Sequence, residues 1–127
     1  MEKKTLSERM LEIRGKTDYV LPLKSYVLVA IDGRSFSKTI KKEFKQPFDD
    51  DFVDMMDETA KYVCENLPGC KFAYVQSDEI TFVLTDFDND NSSAFFGNRL
   101  SKLLSIIPSM ASTKFNALKF SWGAKNQ

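Results

Sequence analysis

The stretch from Ser25 to Ser37, SYVLVAIDGRSFS, restricts what this chain can fold into more than any other. An apolar run that closes on a carboxylate reads as a buried strand delivering Asp32 to the rim of a sheet, and Gly33 behind it lets another group approach the backbone closely. With a second acid beside it, such a rim suits a divalent cation at a phosphate-handling centre. Taken alone, the same stretch also reads as a strand followed by a turn, with Asp32 an ordinary turn former.

The second acid is Asp78. Cys70 to Gln76 and Glu79 to Leu84 are short runs rich in β-branched and aromatic residues, joined by Ser77-Asp78, and they predict a hairpin with an acid at its tip. Before the first strand, Thr5 to Arg14 reads as a helix. Thr5-Leu6-Ser7-Glu8 has the form of a capping box, Leu6, Met10, Leu11 and Ile13 fall largely on one face, and Gly15 ends the run. Asp18 to Lys24, with Pro22 inside it, predicts an extended connector. Lys38 to Lys45 is a basic loop, with Lys38, Lys41, Lys42 and Lys45, that is either solvated surface or part of the acidic site. Pro47 stops the chain and Asp49 to Asp51 suit a helix N-terminus. Phe52, Val53, Met56, Ala60, Val63, Cys64 and Leu67 then recur at helical spacing up to Pro68-Gly69.

Asp86 to Ser93, DFDNDNSS, predicts a polar surface loop; it lacks the glycine and the closing glutamate of a calcium loop. A helix from Ala94 turns Phe95, Phe96, Leu100, Leu103, Leu104 and Ile107 inward and leaves Arg99 and Lys102 at its side. Pro108 ends or kinks it, although the period continues through Met110, Ala111 and Phe115. Leu118 to Trp122, LKFSW, alternates like a last strand. From the second element onward this order is the βαββαβ pattern of an α+β, ferredoxin-like sheet. In that topology the third strand returns between the first two, and Asp32 and Asp78 become neighbours on one edge. Two adjacent carboxylates repel unless cations lie between them. A pair of Mg²⁺ ions removes the repulsion, one activating an attacking oxygen and the other neutralising a leaving pyrophosphate.

Composition narrows the chemistry further. The chain has 127 residues, 43% apolar content and eleven phenylalanines, which predicts one domain with a packed core. Eighteen basic and eighteen acidic residues cancel, so a polyanion must be held by a local cluster. The absence of histidine excludes Ser-His and Cys-His catalysis and histidine metal ligation. Two cysteines, Cys64 and Cys70, are too few for a disulfide framework or a zinc site and read as reduced thiols. No segment approaches a membrane span or a signal peptide, so a cytoplasmic protein with no membrane partner is expected.

Four stretches, IDGRSFSK at Ile31–Lys38, FKQPFD at Phe44–Asp49, YVQSDEITFVL at Tyr74–Leu84 and NRLSKLLS at Asn98–Ser105, resemble the ordered motifs of the tRNA-His guanylyltransferase family. The likeness is greatest to its bacterial and archaeal guanylyltransferase-like branch. It implies a polymerase-palm-like catalytic domain that uses two Mg²⁺ ions to add nucleotides, guanosine from GTP in particular, to the 5′ end of tRNA in the 3′-to-5′ direction. Asp32, Asp78 and the carbonyl of Gly33 would then hold the metals, with Glu79 supporting them. Arg34, Ser35, Phe36, Ser37, Lys45, Ser77, Arg99 and Lys102 would hold the nucleoside triphosphate, GTP or ATP. Ser37 stands where many members carry histidine, and Gln46 where lysine or arginine is usual.

The family's chain continues past the fourth strand, so residues 1–127 are expected to be the palm-like part, without the C-terminal region. A homo-oligomer, dimer or tetramer, is also implied. The alternatives are a nucleotide- or RNA-binding fragment without turnover and, further off, a nucleotide-cyclase-like enzyme.

Overall fold

The computed structural model describes residues 2–45 and 49–126; Gln46 and Pro47 of the predicted stop lie outside them. Three strands form one sheet. β1 (Val27–Asp32), β2 (Cys70–Gln76) and β3 (Glu79–Leu84) lie in the order β1-β3-β2, with β3 antiparallel to both neighbours. The predicted return of the third strand between the first two is therefore present. Alternation decides which face is covered: Val27 and Val29 of β1 and Ile80, Phe82 and Leu84 of β3 are buried against helices. Leu28 and Phe72, paired across Val83, and Tyr74 face outward and are exposed.

The helical layer is α3 (Asp50–Asn66) and α4 (Leu100–Lys125). Asp49 caps α3 by accepting the Phe52 N–H at 3.0 Å, and Asp50 and Asp51 occupy its first turn, as the charge of a helix N-terminus favours. Phe52, Met55, Met56, Thr59, Ala60 and Val63 form its buried stripe, whereas Val53, expected inside, is exposed. Gly69 then turns the chain at φ +84°, where a Cβ would meet the Thr85 carbonyl.

Several predicted elements are corrected. Lys38–Lys45 is not a loop: α2 (Phe36–Glu43) is helical, and Phe44 follows directly after it, buried. The helix expected from Ala94 begins as a 3₁₀ turn, Phe95–Asn98, with left-handed Phe96 and Gly97, and the α-helix starts only at Leu100. Of its predicted inward residues, Leu103 and Ile107 are buried but Phe96 and Leu104 are exposed.

Pro108 lies inside α4 without ending it. The carbonyl it frees, that of Leu104, is on the exposed side, where water can take it. Leu118–Trp122 is helix, not strand, because Leu103, Ile107, Ala111, Phe115, Leu118 and Trp122 form one continuous ridge on the core. The βαββαβ sheet is thus not completed among the described residues; the fold is mixed α/β with a small antiparallel sheet.

An aromatic cluster ties α2, α3 and α4 together. Phe36 meets Phe115 at 5.2 Å between centroids, Phe44 meets Phe52 at 5.3 Å, and Trp122 stacks on Phe44 at 4.8 Å. The indole N–H of Trp122 donates to Asp51 at 3.0 Å. At the N-terminus, α1 (Leu6–Gly15) carries both halves of its capping box, yet no residue of it is buried. The connector after it is bound to the start of α4: Leu100 N–H donates to the Tyr19 carbonyl at 2.8 Å and Leu21 N–H to that of Asn98 at 2.9 Å.

Candidate active site

The sheet register carries the acids to one place. Asp32, last in β1, pairs directly with Glu79, first in β3, and Glu79 pairs with Gln76 across the hairpin. Asp78 sits in the two-residue tip, and its carbonyl accepts the Gly33 N–H at 3.0 Å. A backbone bond therefore joins the two loops that carry the acids. The Asp78 carboxyl is half-buried and lies within hydrogen-bonding reach of Asp32; burial pushes its pKa up, and the neighbouring Asp32 charge adds to the rise.

Local conformation supports this geometry at a cost. Ser35 and Ser77 both adopt left-handed backbone, φ +56° and +54°, one on each side of the acid pair. Non-glycine residues held there are strained by on the order of 1–3 kcal/mol, and such strain persists where the surroundings over-determine the backbone. Gly33 is needed for another reason: the Phe36 ring lies over it, and a Cβ would overlap that ring.

The acids stand at the mouth of a cleft of about 280 Å³. Asp32, Gly33, Arg34 and Asp78 line one end, Ile31, Phe36, Met56 and Phe115 supply apolar walls, and Thr59, Ser112 and Asn116 add polar groups from the helices. The Thr59 hydroxyl is already committed to the Met55 carbonyl at 2.7 Å. Ser112 and Asn116 were not foreseen from the sequence. Their signal is a four-residue spacing from Pro108, legible once the helical period is carried through that proline.

Glu79 is exposed on the outward face beside Asp32, and Ser77 and Ser35 are exposed at the turns. Ser37 lies in the first turn of α2. Lys45 follows that helix with an exposed side chain, and its N–H donates to Asp49 at 2.9 Å. Arg99 and Lys102 are not brought to the acids. They begin α4, whereas the cleft is lined by Pro108 to Asn116 of that helix. Lys102 and Pro108, the first of these, are six residues apart, roughly 9 Å along a helix axis. Arg99 Nε instead donates to Asp18 at 2.8 Å, and Lys102 lies 5.4 Å over the Phe96 ring.

Among the described residues no cluster of three or more histidines, cysteines or acids gathers to hold a metal. Asp32 and Asp78 are hard oxygen donors. That set fits Mg²⁺, which keeps several waters and takes its other ligands from substrate phosphates. Among the described residues no helix is long and apolar enough to cross a membrane.

Comparison with known proteins agrees with this fold. The chain resembles a bacterial tRNA(His) guanylyltransferase (Thg1)-like protein solved in complex with ATP, with a TM-score of 0.89 and 34% identity over 94% of this chain and 52% of that one. The complex with GTP gives 0.86 and 35%, covering 91% and 53%. A probable tRNA(His) guanylyltransferase of Dictyostelium discoideum is 37% identical over 91 residues, 71% of this chain and 34% of that protein. The chain thus spans about half the length of the solved bacterial proteins and a smaller share of the curated relatives it matches. The family model described as "Thg1: tRNAHis guanylyltransferase" matches residues 7–125, and with the fold in agreement, the chain belongs to that family.

Proposed function

We propose that this chain forms the palm-like catalytic part of a Mg²⁺-dependent nucleotidyltransferase that adds nucleotides, guanosine from GTP in particular, to the 5′ end of a tRNA in the 3′-to-5′ direction. The observation that carries the reading is the meeting of Asp32 and Asp78 at the cleft mouth, on loops joined by the Gly33 N–H to Asp78 carbonyl bond. Asp32, Asp78 and the Gly33 carbonyl hold the metals, and Glu79, beside Asp32 on the outward face, orients water around them. Bound Mg²⁺ supplies charge neutralisation at the triphosphate and a more acidic attacking oxygen.

The chain's own groups do the rest. Backbone from Gly33 to Ser37, with Arg34 at the cleft, cradles the phosphates, Ser77 stands next to Asp78, and Lys45, past the end of α2, adds positive charge for the triphosphate. Ile31, Phe36, Met56 and Phe115 exclude water from one side of a bound nucleotide. Arg99 and Lys102 join the phosphates only if Arg99 leaves Asp18 or another chain presents them, and a homo-oligomer supplies the second route. Support comes from family membership, from the named activity of the relatives and from the ATP and GTP of the structural neighbours.

The test is incorporation of labelled GTP into 5′-monophosphorylated or 5′-truncated tRNA by the purified chain with Mg²⁺. Incorporation is expected, and its loss in both Asp32→Ala and Asp78→Ala; activity surviving both changes would sink the assignment. A second reading, nucleotide binding without transfer, is favoured by the engagement of Arg99 with Asp18 away from the acids. Mg²⁺-GTP binding with no incorporation on the same sample would select it.

A further inference from the structure

Cys64 and Cys70 have no part in the site above, yet the fold sets their sulfur atoms 2.8 Å apart. Cys64 lies in the last turns of α3 and Cys70 opens β2, so the tight turn at Pro68-Gly69 returns one thiol to the other. That turn is held by backbone bonds: Cys70 N–H donates to the Leu67 carbonyl at 3.0 Å and Thr85 N–H to that of Gly69 at 2.9 Å. Both thiols are free and half-buried, so a small reagent reaches them from solvent. The sulfur separation is within about 1 Å of a covalent S–S length, so bond formation calls for little movement.

We propose that Cys64 and Cys70 are a reversible dithiol–disulfide site, oxidised by a low-molecular-weight disulfide of the glutathione class, that locks the end of α3 to the start of edge strand β2. Burial pushes the Cys70 thiol up to about 12, so it stays protonated at neutral pH and Cys64 opens the reaction. The Cys64 thiol gives its proton to solvent, and its thiolate attacks one sulfur of oxidised glutathione, breaking that S–S bond and releasing one glutathione thiolate. Cys70, passing its proton to the released thiolate, then attacks the Cys64 sulfur of the mixed disulfide and expels the second glutathione. The balance is one protein dithiol and one glutathione disulfide converted to one protein disulfide and two glutathione thiols. A register shift between Cys70 and Phe72 leaves the beginning of β2 less regularly paired, and this is where the bond would act.

The folded protein is equilibrated in glutathione buffers of increasing oxidised fraction, quenched with acid, treated with N-ethylmaleimide and weighed by mass spectrometry. A species carrying two maleimides is expected to give way to one about 2 Da lighter than the unlabelled dithiol and carrying none, with Tm raised by several degrees. Cys70→Ser should stop at a single glutathione adduct, and Cys64→Ser should take one up far more slowly, because its remaining thiol stays protonated. In denaturing urea the conversion should need at least about tenfold more oxidised glutathione, since the fold no longer holds the sulfurs together. Two maleimides at every ratio, glutathione adducts as the end state of the unsubstituted protein, or equal requirements in buffer and urea would overturn the proposal. These three readouts do not depend on either variant folding.

Discussion

Ser77 carries an unusual share of the geometry for one exposed residue. At φ +54° it holds the first position of a two-residue hairpin, where glycine is the relaxed choice. Ser77→Gly is expected to stabilise the fold by about 0.5–1 kcal/mol in urea denaturation while lowering nucleotide incorporation, because the tip that aims Asp78 becomes freer. Asp78 makes a pH prediction. Its folded pKa lies above the unfolded value, so the native state binds more protons just above the ordinary aspartate range. Stability therefore falls as pH rises from the unfolded pKa through the folded one and then levels. Asp78→Asn should flatten that fall in urea melts taken across acidic pH, and Mg²⁺ should raise Tm more at neutral pH than at acidic pH. Asp86, in the predicted surface loop, is buried and accepts the Lys24 N–H at 2.8 Å, beside a lysine backbone at φ +57°. Asp86→Ala should cost about 1–3 kcal/mol, read as a lower urea midpoint at unchanged slope.

Among the elements, β1, α3 and the β2–β3 hairpin were legible because each has a single period and clear punctuation: an apolar run closing on Asp32-Gly33, a stripe closing on Pro68-Gly69, two strands around Ser77-Asp78. Two helices were not. From Lys38 to Lys45 four lysines mask the helical spacing, and Phe44, just past the end of α2, is buried only because α3 and α4 stand beside it. In α4, Pro108 suggested an end, and LKFSW alternates over too few residues to separate a strand from a helix turning toward a core. The deciding fact is tertiary, since Phe115 packs on Phe36 of α2 and Phe52 of α3, Trp122 bonds to Asp51 of α3, and Leu118 packs against the core. Within the site, the meeting of Asp32 with Asp78 followed from topology, whereas the distance of Arg99 from them did not, because the connector that captures it has no periodic signature. Ile107→Ala, at a fully buried position in the first half of α4, should cost about 2–4 kcal/mol in denaturant unfolding.

On the scale of the whole molecule, the helices cover one side of the sheet and leave Leu28, Phe72 and Tyr74 open on the other, and the apolar residues of α1 are exposed as well. The single tryptophan, Trp122, joins the end of α4 to α2 and α3, so its fluorescence reports on the same core that far-UV circular dichroism sees as helix. The two signals should lose their native values at one urea concentration; separated midpoints would mean that the end of α4 detaches first. The acid pair has a different kind of support. The link between Gly33 N–H and the Asp78 carbonyl uses main-chain atoms alone. Sequence drift at position 78 can therefore erase a charge without severing that link, and at position 33 proline is the residue that removes the donor itself. The spacing of the two acids is in this sense inherited with the fold and not with any side chain, so the site can lose its chemistry by mutation and regain it by a single reversion.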